Sequence, residues 1–178
     1  MDLSAVEPLR DTHSVDQFSC GKPALDDWLK SYTKANQRND FTRVMVVHDD
    51  NRVVGYYGLA PSAIDATAAP RRIRTGRPPD PIPCLLIGQL AVDQHYHGRS
   101  LGSALVSDAL RRCLAGAEIV GGRAVVVRAI DREAEQYWQS WGFIPARDDP
   151  SVLMRSIADI RSFLSAALLS LGGSGRPI

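Results

Sequence analysis

Residues 84–112 read CLLIGQLAVDQHYHGRSLGSALVSDALRR. The opening run, 84–92, is apolar on both faces, as a strand covered on both sides of a central sheet should be. Downstream, Leu101, Leu105, Ala109 and Leu110 recur at helical spacing. Between them lies a glycine-punctuated turn, His97-Gly98-Arg99-Ser100-Leu101-Gly102. A helix start leaves four backbone N–H groups unpaired and carries partial positive charge, so a strand-to-helix turn with little side-chain bulk suits a phosphate. Gly98 and Gly102 let the main chain approach an anion, and Arg99 adds a full charge beside it. The turn is neither a Walker loop, which needs Gly-Lys-Ser/Thr, nor a G-x-G-x-x-G dinucleotide fingerprint. A plain strand-to-helix connection whose glycines relieve crowding is the alternative reading of the same residues.

Upstream, residues 66–83 hold five prolines and four arginines (Arg71, Arg72, Arg74, Arg77). Proline breaks helices and removes ladder donors, so this stretch reads as an exposed basic loop outside the core. Before it, two apolar, β-branched runs at 41–48 and 52–59 flank Asp49-Asp50-Asn51, the pattern of a β-hairpin. Residues 23–36 place Leu25, Trp28, Leu29 and Tyr32 on one helical face, with Pro23 in the first turn. Past the central helix, Gly121-Gly122 lead into a buried strand at 124–129. Asp131 suits the N-cap of a helix over 132–141, and Gly142 a left-handed closing residue. Short strands are expected at 143–146 and 151–157. A last helix over 157–171 carries Ile157, Ile160, Phe163, Leu164, Ala167, Leu168 and Leu171 on one stripe. The elements give one α/β or α+β domain over 1–171, a mixed central sheet flanked by helices, with 172–178 as a disordered tail.

At 178 residues, 44% apolar and 23% charged, the chain is an ordinary globular one that needs no disulfide or metal to stabilise its core. Lys+Arg is 21 against Asp+Glu 20, so nucleic-acid binding requires a local basic patch. Cys20, Cys84 and Cys113 are far apart and read as small buried hydrophobes in a reducing compartment, with no zinc pattern. His13, His48 and His95 lack metal-ligand spacing and read as surface or turn residues; no metal is expected. The N-terminus lacks a secretory signal, and no run approaches the ~18 apolar residues of a membrane span. A cytoplasmic protein is expected.

Gln89-Leu90-Ala91-Val92-Asp93 followed by His97 to Gly102 resembles motif A of the GNAT N-acetyltransferases, in which a Q/R-x-x-G-x-G/A turn holds the pyrophosphate of acetyl-CoA. His97 stands where Gln or Arg is usual, and Ser100 where Gly is usual; a Cβ there narrows the backbone approach. DREAEQYWQSWGF at 131–143 resembles motif B. Phe18-Ser19-Cys20-Gly21 through Leu25-Asp26-Asp27-Trp28-Leu29, with Gly55-Tyr56-Tyr57-Gly58-Leu59, resembles the acetyltransferase toxins of bacterial toxin–antitoxin pairs. The resemblance implies a GNAT fold with acetyl-CoA at a splayed central strand pair. It implies a toxin that acetylates the α-amine of aminoacyl-tRNA and blocks translation, a homodimer, and a ribbon-helix-helix antitoxin. It also implies cofactor contacts from Leu90, Ala91, Val92, His97, Gly98, Arg99, Ser100, Leu101, Gly102, Ser103 and Trp138, with the Val92 N–H as oxyanion donor.

Acetyl transfer needs a neutral amine and a proton for the leaving thiolate. An α-amine, with pKa of about 7.7–8.0, needs a dedicated base far less than a lysine near 10.4 does. Residues 84–92 offer no carboxylate or histidine, which suits an α-amine substrate. In the family pattern a tyrosine precedes the phenylalanine of Gly-Phe by five residues. Here that position is Trp138, and Tyr137 is one earlier, about 100° away around a helix. Three readings stay open: Tyr137 is the proton donor, the thiolate leaves unassisted while Trp138 packs on the pantetheine arm, or the protein is a weakened acyl-CoA-binding relative. A small amine or protein amine is the alternative acceptor. The four loop arginines read as a grip for the tRNA backbone. Lys30, Lys34 and Arg38, on the first helix, read as a solvated face.

Overall fold

A computed structural model describes residues 2–172. Its strands are β1 (Glu7–Pro8), β2 (Arg43–Asp49), β3 (Arg52–Ile64), β4 (Ile82–Val92), β5 (Ala124–Arg128), β6 (Ile144–Pro145) and β7 (Val152–Ser156). Its helices are α1 (Pro23–Ser31), α2 (Thr33–Arg38), α3 (Arg71–Arg74), α4 (Leu101–Val120), α5 (Arg132–Ser140) and α6 (Ile157–Gly172). The strands form a seven-stranded sheet in the order β1-β2-β3-β4-β5-β7-β6. The β1–β2, β2–β3, β5–β7 and β6–β7 pairings are antiparallel. The α+β architecture is the expected one. Two compact units are distinguishable, one running through Pro61 and including Leu86–Ala109, the other made of Ser62–Leu85 and the chain from Leu110 onward.

In the first unit, β2 and β3 form the expected hairpin. Asp50 and Asn51 both have positive φ, 48° and 63°, the requirement of a two-residue turn that matches strand twist. The helix expected over 23–36 is broken. Tyr32, at φ −119°, ends α1 and precedes α2, and the Thr33 hydroxyl donates to the Leu29 carbonyl at 2.6 Å. Tyr32 therefore leaves the buried face and is 56% exposed. Leu9, Phe18, Leu25, Leu29, Val44, Val46, Val53, Tyr56 and Ala91 form the core here, with Trp28 against it.

In the second unit, the segment 66–83 departs from the loop that its prolines suggest. Pro70 precedes α3, and Ala69, Ile73 and Ile82 are fully buried. The Arg123 guanidinium donates to the carbonyls of Ile73 at 3.0 Å and Thr75 at 2.9 Å, satisfying the end of α3. Composition concealed this, because one buried isoleucine and a distant arginine anchor the turn. Asp131 caps α5 by accepting the Ala134 N–H at 2.8 Å, and Gly142 has φ +81°, both as expected. The α6 stripe is buried only at its start. Ile157 and Ile160 are in the core, whereas Leu168 is 71% and Leu171 81% exposed. Of the expected tail, Gly172 closes α6 and the rest lies outside the described residues. No helix among the described residues is long and apolar enough to cross a membrane.

Candidate active site

The phosphate turn leaves β4 through Asp93, a wholly buried carboxylate. Asp93 accepts the Ser19 N–H at 3.1 Å and, through its other oxygen, the His95 N–H at 2.9 Å and ring Nδ1 at 3.0 Å. The Arg52 guanidinium lies 3.6 Å away. Burial pushes the Asp93 carboxyl up, but these donors outweigh it and hold the group below the ordinary aspartate range. Its own N–H donates to the Val54 carbonyl, and Gln94 N–H to that of Ser19, both at 2.8 Å. The turn is thus clamped to the residues 18–20 and to β3.

This clamp gives the N-terminal signature a structural meaning. Phe18 meets the Tyr56 ring edge-on at 5.4 Å, and Trp28 stacks on Tyr56 at 5.8 Å. The Tyr56 hydroxyl donates to the Leu25 carbonyl at 2.7 Å. A Cβ at Gly55 would lie 2.9 Å from Leu105 Cδ1, so glycine there admits α4 close to β3. The Tyr57 hydroxyl donates to Asp108 on the same helix.

After Asp93, residues 94–96 make one 3₁₀ turn that buries Tyr96, whose hydroxyl donates to Asp49 at 2.8 Å. The Arg99 guanidinium lies over the Tyr96 ring, 5.4 Å from its centre. His97 Nε2 is 2.7 Å from the Val92 carbonyl oxygen. Gly98 has φ +74°, and a Cβ there would meet nothing within 4 Å. Ser100 holds the left-handed conformation that glycine usually supplies, at φ +60°, and its carbonyl takes the first α4 bond from Ala104 N–H. Gly98, Arg99, Ser100 and Ser103 are exposed, Leu90, Val92 and Gly102 half-buried, and Ala91 and Leu101 buried. An exposed, low-bulk main chain opening α4, beside an arginine held by a buried aromatic, fits a diphosphate.

In the second unit, Tyr137 and Trp138 differ as a 100° step on a helix demands. Trp138 is buried, edge-on to Phe143 at 5.1 Å, while the Tyr137 ring is 38% exposed. Desolvation raises the Tyr137 pKa against the opposing effect of a hydrogen bond with Trp141, so the phenol keeps its proton at neutral pH. Trp138 has the surroundings of a core residue.

Two basic features change their meaning. Arg72 donates through two nitrogens to Asp159, at 3.1 and 2.8 Å, and Lys34 Nζ donates to the carbonyls of Asp11 and His13. Arg71 and Arg77 are exposed. His13 is buried, contrary to the surface position its spacing suggests, because it joins Glu7 and His48 in a cluster. Both rings accept a backbone N–H at Nδ1, His13 from Arg10 and His48 from Asn51. Each Nε2 therefore carries its hydrogen and donates to Glu7 Oε1, at 3.0 and 3.2 Å, leaving the cluster satisfied without an ion. Desolvation, with the nearby His48, holds the His13 pKa below its ordinary value against the raising effect of Glu7.

Asp93, Arg52, Ser19 and Tyr96 shape the site, yet no residue pattern marks them as doing so. Apart from local contacts within the turn, their contacts span 39 to 75 positions in the chain.

Residues 40–145 match the acetyltransferase (GNAT) domain. The chain belongs to the GNAT acetyltransferases. This GNAT chain is 38% identical, over 90% of its length and 96% of the relative's, to a tRNA-acetylating toxin of Mycobacterium tuberculosis (strain ATCC 25618 / H37Rv). It is 28% identical, over 89% and 94%, to the probable toxin TacT of Sinorhizobium fredii (strain NBRC 101917 / NGR234). Among solved structures, AtaT complexed with acetyl-methionyl-tRNAfMet superposes with a TM-score of 0.83 at 26% identity, covering 92% of this GNAT chain and 99% of that one. A mutant AtaT toxin bound to the C-terminus of the antitoxin AtaR and acetyl-CoA gives 0.78 at 26% identity, covering 93% and 99%.

Proposed function

We propose that this protein uses acetyl-CoA to acetylate the α-amine of aminoacyl-tRNA, and that it is a cytoplasmic toxin of a toxin–antitoxin pair. The carrying observation is the phosphate turn clamped to the toxin-like N-terminal segment, in a chain 38% identical to a tRNA-acetylating toxin. The AtaT complexes with acetylated tRNA and with acetyl-CoA support the same reading. In this reading residues 1–171 act as one acetyltransferase domain. The main chain of Gly98 to Gly102 and the Arg99 guanidinium hold the diphosphate, with Leu90, Ala91, His97, Leu101 and Ser103 completing the cofactor path, while Trp138 serves the core beside Phe143.

Acetyl-CoA supplies an activated thioester when bound. The reading gives the Val92 N–H the role of donor to the thioester carbonyl oxygen, where charge develops on attack. It gives the phenol of Tyr137 the role of returning a proton to the departing sulfur. The acceptor α-amine needs little assistance, since roughly a tenth is neutral at pH 7. Arg71 and Arg77 offer charge to the RNA backbone, with Arg72 held to Asp159 as a strut for α3. A homodimer and a ribbon-helix-helix antitoxin complete the reading.

The test is incubation of the protein with acetyl-CoA and total charged tRNA, followed by mass spectrometry of the released aminoacyl adenosines. One acetylated aminoacyl species is expected. Acetylation of polyamines or protein lysines instead would replace the proposed acceptor, and no acetyl transfer at all would overturn the enzyme reading.

A further inference from the structure

The His97 side chain does something the resemblance does not assign to it. Where the family places Gln or Arg, this chain has an imidazole whose Nε2 lies 2.7 Å from the Val92 carbonyl oxygen. A carbonyl oxygen only accepts, so Nε2 must carry a hydrogen, as it does both in one neutral tautomer and in the imidazolium. The other polar end of the same peptide is also engaged, since Asp93 N–H donates to Val54 O at 2.8 Å. The Val92–Asp93 peptide plane is therefore held from both sides, by β3 and by the turn it feeds.

Two consequences follow for the site. Fixing that plane fixes the rotation after Val92, the residue whose N–H faces the developing charge in the proposed reaction. The same bond closes the chain from 92 to 97 into a ring, so Gly98 starts the phosphate turn from a set position. Within this ring Tyr96 N–H donates to Asp93 O at 2.9 Å and His97 N–H to Gln94 O at 3.3 Å, but neither reaches Val92.

We propose that His97 is a positioning residue for acetyl transfer, holding the Val92 carbonyl through Nε2–H so that the oxyanion donor and the phosphate turn share one rigid frame. The inference rests on the acetyl-CoA reading and is independent of which amine accepts. It assigns Nε2 no part in moving the substrate proton, because a nitrogen donating to a carbonyl has no lone pair to act as base, and the pH–rate profile tests whether Nδ1 takes one.

Glutamine has an N–H donor at nearly the reach of Nε2, and alanine has none, so His97→Gln and His97→Ala separate the possibilities. The readouts are kcat and KM for acetyl-CoA, the pH–rate profile, acetyl-CoA affinity by calorimetry, and melting temperature. One hydrogen bond has a net worth of about 1 kcal/mol, or roughly fivefold. His97→Ala should lose up to about that factor in kcat and in cofactor affinity, with the melting temperature lowered by no more than about 2–4 °C because a single hydrogen bond of an exposed residue is removed. His97→Gln should restore both and keep the wild-type pH profile. An alanine variant equal to wild type in kcat, KM and affinity overturns the proposal. So does a glutamine variant as slow as alanine with a changed pH profile, which would make the ring an acid or base. If the wild-type protein binds acetyl-CoA yet acetylates no tRNA, only the acceptor reading fails, and the affinity series still decides His97. A wild-type protein that binds no acetyl-CoA overturns both.

Discussion

Ser100→Gly isolates the turn's departure from its family pattern. Ser100 sits at φ +60°, where an L-residue costs roughly 1–2 kcal/mol. Glycine removes that cost but gives the unfolded chain more freedom, opposing it by roughly 0.5–1 kcal/mol. The difference favours the variant by about 0.5–1 kcal/mol, or about 1–4 °C in melting temperature for a protein of this size. Ser100 is exposed and its carbonyl already accepts the first α4 bond, so glycine keeps the helix start. Removing the side chain also clears the approach to the main chain, so acetyl-CoA affinity should be equal or higher. Differential scanning calorimetry and titration calorimetry measure the two effects separately. A melting temperature lowered by more than about 2 °C would refute the strain argument and assign the serine hydroxyl a capping role worth more than the relief. Weaker binding with a raised melting temperature would show that the hydroxyl itself holds the ligand.

Gly102→Asp places a carboxylate in the first turn of α4, where it suits the helix by about 0.3–1 kcal/mol but repels a diphosphate. The fold should persist while acetyl-CoA affinity falls at least about tenfold, about 1.4 kcal/mol, by calorimetry. Tyr137→Phe should cut single-turnover acetyl transfer by about 10²–10⁴-fold with cofactor affinity unchanged, and undiminished turnover would remove the phenol from the reaction. Trp138→Tyr should not improve the enzyme: the indole is buried against Phe143, and the smaller ring should cost about 1–2 kcal/mol in denaturant titrations. The Arg72 hydrogen bonds and charge hold the Asp159 carboxyl at about 2, below its ordinary 3.8. Its stabilising contribution is thus complete above about pH 4 and disappears as pH falls towards 2, and an exposed pair is worth at most about 1 kcal/mol. Asp159→Asn should flatten the acid limb of the stability–pH curve, and a parallel limb would show that the pair contributes nothing.

The hairpin, the α5 cap and the central helix were legible because each depends on neighbours within a few positions. Asp50-Asn51 can adopt a tight turn, Asp131 reaches only to residue 134, and Leu101, Leu105 and Ala109 repeat at the helical period. Segment 66–83 was misleading because proline content reports local stiffness and says nothing of Arg123, which anchors α3 from 48 to 50 positions away. The α6 stripe failed for a related reason. Periodicity reveals which side of a helix is apolar, but not how far the protein beneath it extends, and Leu168 and Leu171 lie beyond that cover. In the phosphate turn the glycines are visible, whereas the donors that Asp93 takes from Ser19 and Arg52 lie too far away in the chain for a local pattern to show them.

Because Asp93 takes donors from Ser19 and Arg52, the turn receives part of its shape from chain that is synthesised well before it. Residues 97–103 follow the hairpin of residues 43–64 in the order of synthesis. The donors at Ser19 and Arg52 are therefore already in the chain when the turn itself is made. A deletion at the N-terminus behaves in the opposite way. Removing residues through Ser19 would leave every letter of the phosphate motif intact while stripping a buried carboxylate of a donor, and the turn would keep its sequence but lose its form.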